Sequence, residues 1–160
     1  GKSVYVIGGA DGAVKEALYL ARFARQVSIV CVEDELACIA EFRRKTAATP
    51  NIQVVPATRV GALHGADRVE ALDLVSLADG RTRTVEDDGC GVFVYAGSEP
   101  NTALYAGELR LENGFIPTNE RMETSISGVY AAGDIRAKQL RQVATAVSDG
   151  AIAAVNAATL

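Results

Sequence analysis

The sequence predicts an α/β fold: a parallel sheet, an inserted three-stranded antiparallel meander, and a closing segment that ends in a long helix. Three observations carry this expectation. Near the start, short β-rich runs alternate with amphipathic stretches, the pattern of parallel strands joined by right-handed crossovers. Three strand-like runs then follow one another with glycine- and aspartate-bearing turns between them, as in an antiparallel excursion. The final stretch is alanine-rich with apolar residues at helical spacing.

Each element has its own justification. Residues 3–8 are β-rich and bounded by glycine, so they read as a buried parallel strand. Over residues 11–23, Val14, Ala17, Leu18 and Ala21 fall at i, i+3, i+4 and i+7, one face of a helix. Residues 27–32 form a second buried strand. Residues 34–48 predict a second helix with Asp34 as its N-cap, broken by Pro50 and Asn51 before a third strand over 52–56. The meander takes residues 59–63, 68–77 and 82–86, with Asp79-Gly80 at one of its turns. Residues 91–95 return as an apolar run that should rejoin the main sheet, so residues 3 to about 97 form a self-contained unit. Beyond Pro100, short irregular segments lead to a strand over 128–132 and a helix from about 139 to 158. That helix carries Leu140, Val143, Val147, Ala151 and Ala154 on one stripe.

Composition narrows the class. At 160 residues, the chain fits one domain, or one domain and part of another. Hydrophobic content of 49% beside 22% charged residues is that of a soluble globular protein. A net charge of −4 gives no electrostatic case for nucleic acid or an anionic membrane, and Arg43-Arg44-Lys45 reads as a solvated helix face. No apolar run reaches the ~20 residues that span a bilayer. No signal peptide is visible, and Gly1 reads as a cloning remnant or a boundary. Cys31, Cys38 and Cys90 contain no CxxC pair, and their odd number argues against a disulfide framework. Together these features point to the cytoplasm. His64, the only histidine, reads as structural or exposed, and the composition supports no metal site.

Two glycine turns carry chemistry. Val129-Tyr130-Ala131-Ala132-Gly133-Asp134 ends an apolar run in a tight turn, and Arg141-Gln142 follow just before a helix. In doubly wound sheets such a turn sets an acidic side chain and a helix N-terminus against a nucleotide cofactor. Ile7-Gly8-Gly9-Ala10-Asp11-Gly12-Ala13 is a second turn of that type.

These motifs resemble, in order, the C-terminal half of a low-molecular-weight thioredoxin reductase, an FAD-dependent pyridine nucleotide-disulfide oxidoreductase. Gly1-Lys2-Ser3-Val4-Tyr5-Val6-Ile7-Gly8-Gly9 and Glu16-Ala17-Leu18-Tyr19-Leu20 are similar to the opening of its NADPH domain. Gly91 to Thr102 resembles its returning strand and Gly-x-x-Pro-Asn-Thr turn; Leu111 to Ile116 and Thr124 to Asp134 resemble its return to the FAD domain. The resemblance implies a Rossmann-like nucleotide domain over residues 1–110 and the last portion of an FAD domain over 111–160. It implies Gly133, Asp134, Arg141, Gln142 and Val143 as FAD contacts. The redox CxxC would lie outside this chain, so the chain alone would be inactive. A thioredoxin-like protein would be the partner.

The nucleotide turn departs from that family. The dinucleotide fingerprint G-x-G-x-x-G/A uses its second glycine to bring the backbone to the pyrophosphate. Here the register is Gly8-x-Ala10-x-x-Ala13, so a methyl group stands where phosphate should sit. Asp11 replaces a neutral asparagine, a repulsion of about 1–4 kcal/mol against one phosphate charge. Lys15 replaces a glutamate expected near the nicotinamide, while Glu16 is retained. The family's His-Arg-Arg and following arginine, which grip the NADPH 2′-phosphate, become Cys31-Val32-Glu33 and Ala37. Losing three charge-assisted contacts, each about 1.5–3 kcal/mol, argues against NADPH as reductant.

An NAD site wants an acid at the end of the second strand. Cys31 occupies that place and Glu33 lies beyond it, which leaves NADH open. The preferred reading is a vestigial site, with Gly8, Gly9 and Gly12 marking the remnant turn and a ferredoxin-type protein, by analogy with ferredoxin-linked members, as donor. An NADH-dependent disulfide reductase and a non-catalytic Rossmann scaffold are the alternatives. The apolar stripe of the last helix predicts a homo-oligomer. Light scattering should therefore report a species larger than one chain, and a strict monomer would contradict this.

Overall fold

The computed structural model describes residues 1–159. They divide into two compact units, Gly1–Gly97 and the residues from Ser98 on. The first compact unit thus closes at Gly97, ahead of the residue-110 boundary that the resemblance implied.

In the first unit the order is β1 (Ser3–Ile7), α1 (Asp11–Leu20), β2 (Gln26–Val30), α2 (Ala40–Ala47), β3 (Ile52–Val55), β4 (Thr58–His64), β5 (Ala71–Ser76), β6 (Thr82–Glu86) and β7 (Gly91–Val94). β3, β2, β1 and β7 form a parallel sheet in that order, and β4, β5 and β6 form a separate antiparallel sheet. The returning strand joins the parallel sheet beside β1, with Val6 opposite Phe93. The strand alternation sends neighbours to opposite faces. Val6 and Ile29 pack with Val14 and Ala17 of α1. Tyr5 and Val30 face the other way, against Leu72 and Leu74 of the meander. The sheet is therefore covered by helices on one face and by the meander on the other. The Tyr5 hydroxyl donates to Asp87 Oδ2 at 3.1 Å. Burial first, and then the Asp87 carboxylate, push its pKa up to about 12.

The helices are shorter than the sequence predicts, for identifiable reasons. α1 stops at Leu20 rather than 23, because Asn51 Nδ2 donates to the carbonyls of Ala21 and Ala24 at 2.8 and 3.2 Å and turns the chain there. α2 begins at Ala40, not 34. Leu36 and Cys38, two apart, both point into the core, which is an extended spacing that a helix cannot give. Asp34 does not cap α2. The Ile39 amide, at its N-cap position, instead donates to Asp11 Oδ1 at 2.9 Å, so a residue of α1 does that work.

In the second unit, 3-10 turns span Ala103–Tyr105 and Gly133–Ile135, and α3 spans Val143–Ala157. The strand predicted over 128–132 does not form. Residues 122–131 fold back as an irregular hairpin in which the Ala131 amide donates to the Met122 carbonyl at 3.0 Å, and only a single bridge joins Glu123 to Tyr130. A ladder needs a neighbouring strand, and the described residues of this unit form no other strand. α3 starts at Val143 rather than 139; Leu140, predicted on its stripe, precedes it. Thr145 Oγ1 accepts the Gln142 amide at 3.1 Å and closes the first turn. The rest of the predicted stripe is exposed, Val143 by 82% and Val147 by 67%, while Asp149 is the one buried residue of α3.

Ile29 is fully buried at the centre of the helix-facing core. Ile29→Ala should cost the first unit about 2–5 kcal/mol, measured as a lowered urea midpoint with unchanged m-value.

Candidate functional site

The first unit holds a pocket of about 470 Å³ at the C-terminal ends of β1, β2 and β7. Its floor is the turn from β1 into α1. Gly8 has φ +131, and a side chain there would collide with the Tyr95 carbonyl oxygen, so only glycine passes. Its amide donates to the Val30 carbonyl at 2.8 Å. Ala10 lines the pocket as the N-cap of α1, in extended conformation. Gly12 is not in the pocket; it lies within α1, under the Tyr95 ring.

The wall beyond β2 is built by long-range hydrogen bonds. The Thr58 amide donates to the Cys31 carbonyl at 2.8 Å, and the Ala57 amide to the Glu33 carbonyl at 2.9 Å. Ala57 is held at φ +45, the left-handed region that costs an alanine about 1–2 kcal/mol. Residues 31–33 are thereby pinned to the β3–β4 turn. The pinning turns Glu33 back over the glycine turn: the place a β-carbon would take at Gly9 lies 2.8 Å from Glu33 Oε2. Cys31 is buried behind this wall, and burial pushes its thiol pKa up. Arg59 lines the same pocket from β4 and is the only cation among its lining residues. Asp11, whose charge the sequence places beside a phosphate, is engaged with the Ile39 amide.

In the second unit the FAD-type candidates gather around Gly133. This glycine sits at φ +83 and donates its amide to Asp149 Oδ2 at 3.1 Å. Asp149 also takes Arg136 Nη1 at 2.6 Å and Lys138 Nζ at 2.8 Å, all three side chains being about nine-tenths buried. Burial raises the Asp149 pKa, but the hydrogen bonds from Lys138, Arg136 and the Gly133 amide outweigh it and hold the carboxyl below its usual range. The Asp134 side chain is 64% exposed, with Lys138 Nζ 3.9 Å away. Arg141 folds back over the turn: its Nε donates to the Asp134 carbonyl at 3.2 Å, Nη2 donates to the Arg136 carbonyl at 3.3 Å, and its guanidinium lies 3.9 Å over the Phe115 ring. Gln142 and Val143 stand exposed at the start of α3, whose first turn carries no acid.

The structure therefore brings Gly133, Asp134, Arg141, Gln142 and Val143 together, and Gly8 with Gly9, but sets Gly12 apart. Sequence reasoning missed Arg136, Lys138, Asp149 and Arg59. Asp149 had a signal, as the single acid in an otherwise alanine-rich apolar helix. Arg59 had none, because its place is set by the pairing of β4 with β5. His64 has an acidic neighbour that the sequence did not show, with Nε2 2.9 Å from Asp73 Oδ2, but it stays half-exposed and outside both sites. Among the described residues no cluster of three or more His, Cys, Asp or Glu could hold a metal ion, and no helix is long and apolar enough to cross a membrane.

A parallel sheet ordered β3-β2-β1-β7, with a glycine turn entering α1 and a pocket at the strand ends, has the geometry of a dinucleotide-binding α/β unit. The comparisons with known proteins are more specific. The chain belongs to the pyridine nucleotide-disulphide oxidoreductase family, which it matches over residues 1–150. It is 42% identical over 159 residues to thioredoxin reductase of Peptoclostridium acidaminophilum, covering 96% of this chain and 50% of that protein. It is 39% identical over 158 residues to thioredoxin reductase of Treponema pallidum (strain Nichols), covering 99% and 51%. Among solved structures, Lactococcus lactis thioredoxin reductase in its FR conformation superposes with a TM-score of 0.86 at 32% identity, covering 99% of this chain and 52% of that one. Thioredoxin reductase of T. acidophilum gives 0.83 at 28% identity, covering 99% and 52%. The chain thus spans about half the length of the relatives it matches.

Asp149→Asn should leave two buried cations short of their counter-charge and destabilise the second unit by about 3 kcal/mol or more. Because the folded carboxyl has a lowered pKa, its contribution is present in full above the ordinary carboxylate range and fades as pH falls through the folded value. Urea titrations from pH 7 to 3 should show that acid-dependent loss in the parent chain and its disappearance in the variant.

Proposed function

We propose that the chain is one half of a thioredoxin reductase-like flavoprotein that takes electrons from a donor other than NADPH. FAD would pass them to a CxxC disulfide carried by the rest of the protein, and a thioredoxin-like protein would receive them. Family membership supports the flavin, and the relatives' names support the acceptor. The observation that carries the choice of donor is Glu33, whose carboxylate lies against Gly9 where a 2′-phosphate grip would need cations. A dianionic phosphate placed there meets a like charge and gains one guanidinium at most.

The residues of the second unit fit a flavin dinucleotide. Asp134 offers an exposed carboxylate to hydroxyl donors, and Gly133 admits a close approach. The exposed start of α3 presents the positive end of its dipole, with Gln142 and Val143 at its edge. Arg141 fixes the Asp134 and Arg136 carbonyls from outside, and Asp149 holds the Gly133 amide from within. When bound, FAD supplies two-electron chemistry; these residues hold and orient it.

Anaerobic mixing of the complete flavoprotein with NADPH should leave the flavin band unbleached over the time in which NADH, reduced ferredoxin or dithionite bleaches it. Rapid bleaching by NADPH would sink the proposal.

A further inference from the structure

The donor reading deepens at the pocket of the first unit. We infer that this pocket seats a dinucleotide whose adenosine ribose keeps a free 2′-hydroxyl, as in NADH, and that Glu33 is the residue that selects it. This rests on the reading that the donor is not NADPH, and it names the class of donor.

Three observations converge. First, the Glu33 backbone is held on both sides, by the Ala57 amide on its own carbonyl and by the Thr58 amide on the Cys31 carbonyl. The strand end that falls short of an acid by sequence count therefore delivers one by a fixed loop. Second, the carboxylate lies beside the glycine turn, with Oε2 2.8 Å from the β-carbon position of Gly9. A dinucleotide site of this fold places its ribose-binding acid beside that turn, where a carboxylate accepts hydrogen bonds from the 2′- and 3′-hydroxyls. Third, the charges lining the pocket are one carboxylate, Glu33, and one guanidinium, Arg59. They cancel, which suits a neutral diol and leaves a 2′-phosphate uncompensated.

Of the two features that oppose a dinucleotide in the sequence, the Asp11 carboxylate accepts the Ile39 amide at 2.9 Å, while Ala10 keeps its place on the pocket floor. Neither partner of the selection is diverted: among the described residues, Glu33 and Arg59 make no ion pair within 4.0 Å.

Calorimetric titration of the chain with NADH and with NADPH tests this, using the parent, Glu33→Gln, Glu33→Arg and Arg59→Ala. NADH should saturate the parent and bind at least roughly tenfold tighter than NADPH, the worth of one charge-assisted contact. Glu33→Gln, which keeps the shape, should weaken NADH by roughly tenfold and close the gap, and Glu33→Arg should reverse the preference. Arg59→Ala should keep the preference for NADH. If neither nucleotide saturates the parent, the inference falls, while a donor other than NADPH still stands. If NADPH binds tighter than NADH, both fall together. If Glu33→Gln binds NADH as the parent does, with unchanged circular dichroism, Glu33 is not the selecting residue and the inference is overturned.

Discussion

The passage of the chain at Gly8 is the constraint on which the first unit depends. There β1 ends, α1 is about to begin, and the end of β7 lies so close that a methyl group would strike its backbone. The Gly8 amide ties the same point to the end of β2. One residue thus fixes three strand ends to one another and sets the direction of α1. The pocket is the space left above that junction, and its shape follows from how tightly the strands are drawn together beneath it.

The second unit solves a similar problem with charge. Gly133 again supplies a positive φ after an apolar segment, but among the described residues of this unit no strand forms to hold the turn. A buried carboxylate does so, reaching from α3 to the Gly133 amide and neutralised by Arg136 and Lys138. Such a cluster is stable only while complete, since any one member left alone carries the full cost of burying a charge. Arg141 reinforces the turn from outside through backbone carbonyls and the Phe115 ring. A turn held from two sides is a rigid mount for the exposed Asp134 side chain.

The pocket of the first unit shows how a residue pattern acquires a new meaning in three dimensions. The hydrogen bonds of Ala57 and Thr58 pin the Cys31-Val32-Glu33 stretch and set an acid beside the glycine turn. Asp11 illustrates the same point from the other side. A charge that looks hostile to a phosphate in the linear sequence accepts, in the fold, the amide of Ile39, the N-cap residue of α2.

The sequence by itself determined the strand and helix alternation, the meander, the strand that returns to the parallel sheet and the positions of both glycine turns. These rest on periodicity and on local backbone freedom, which a few consecutive residues contain in full. It also named Asp134 and Arg141, which meet at the Gly133 turn and lie close in the chain. Tertiary structure alone decided where α1 stops and α2 starts, that residues 128–132 form no strand, which way Glu33 faces, and that Asp149 sits beneath Gly133. Each of these depends on a partner distant in the chain, present or missing, as Asp11 is distant from Ile39 and Gly133 from Asp149, and such a partner leaves no trace in local pattern.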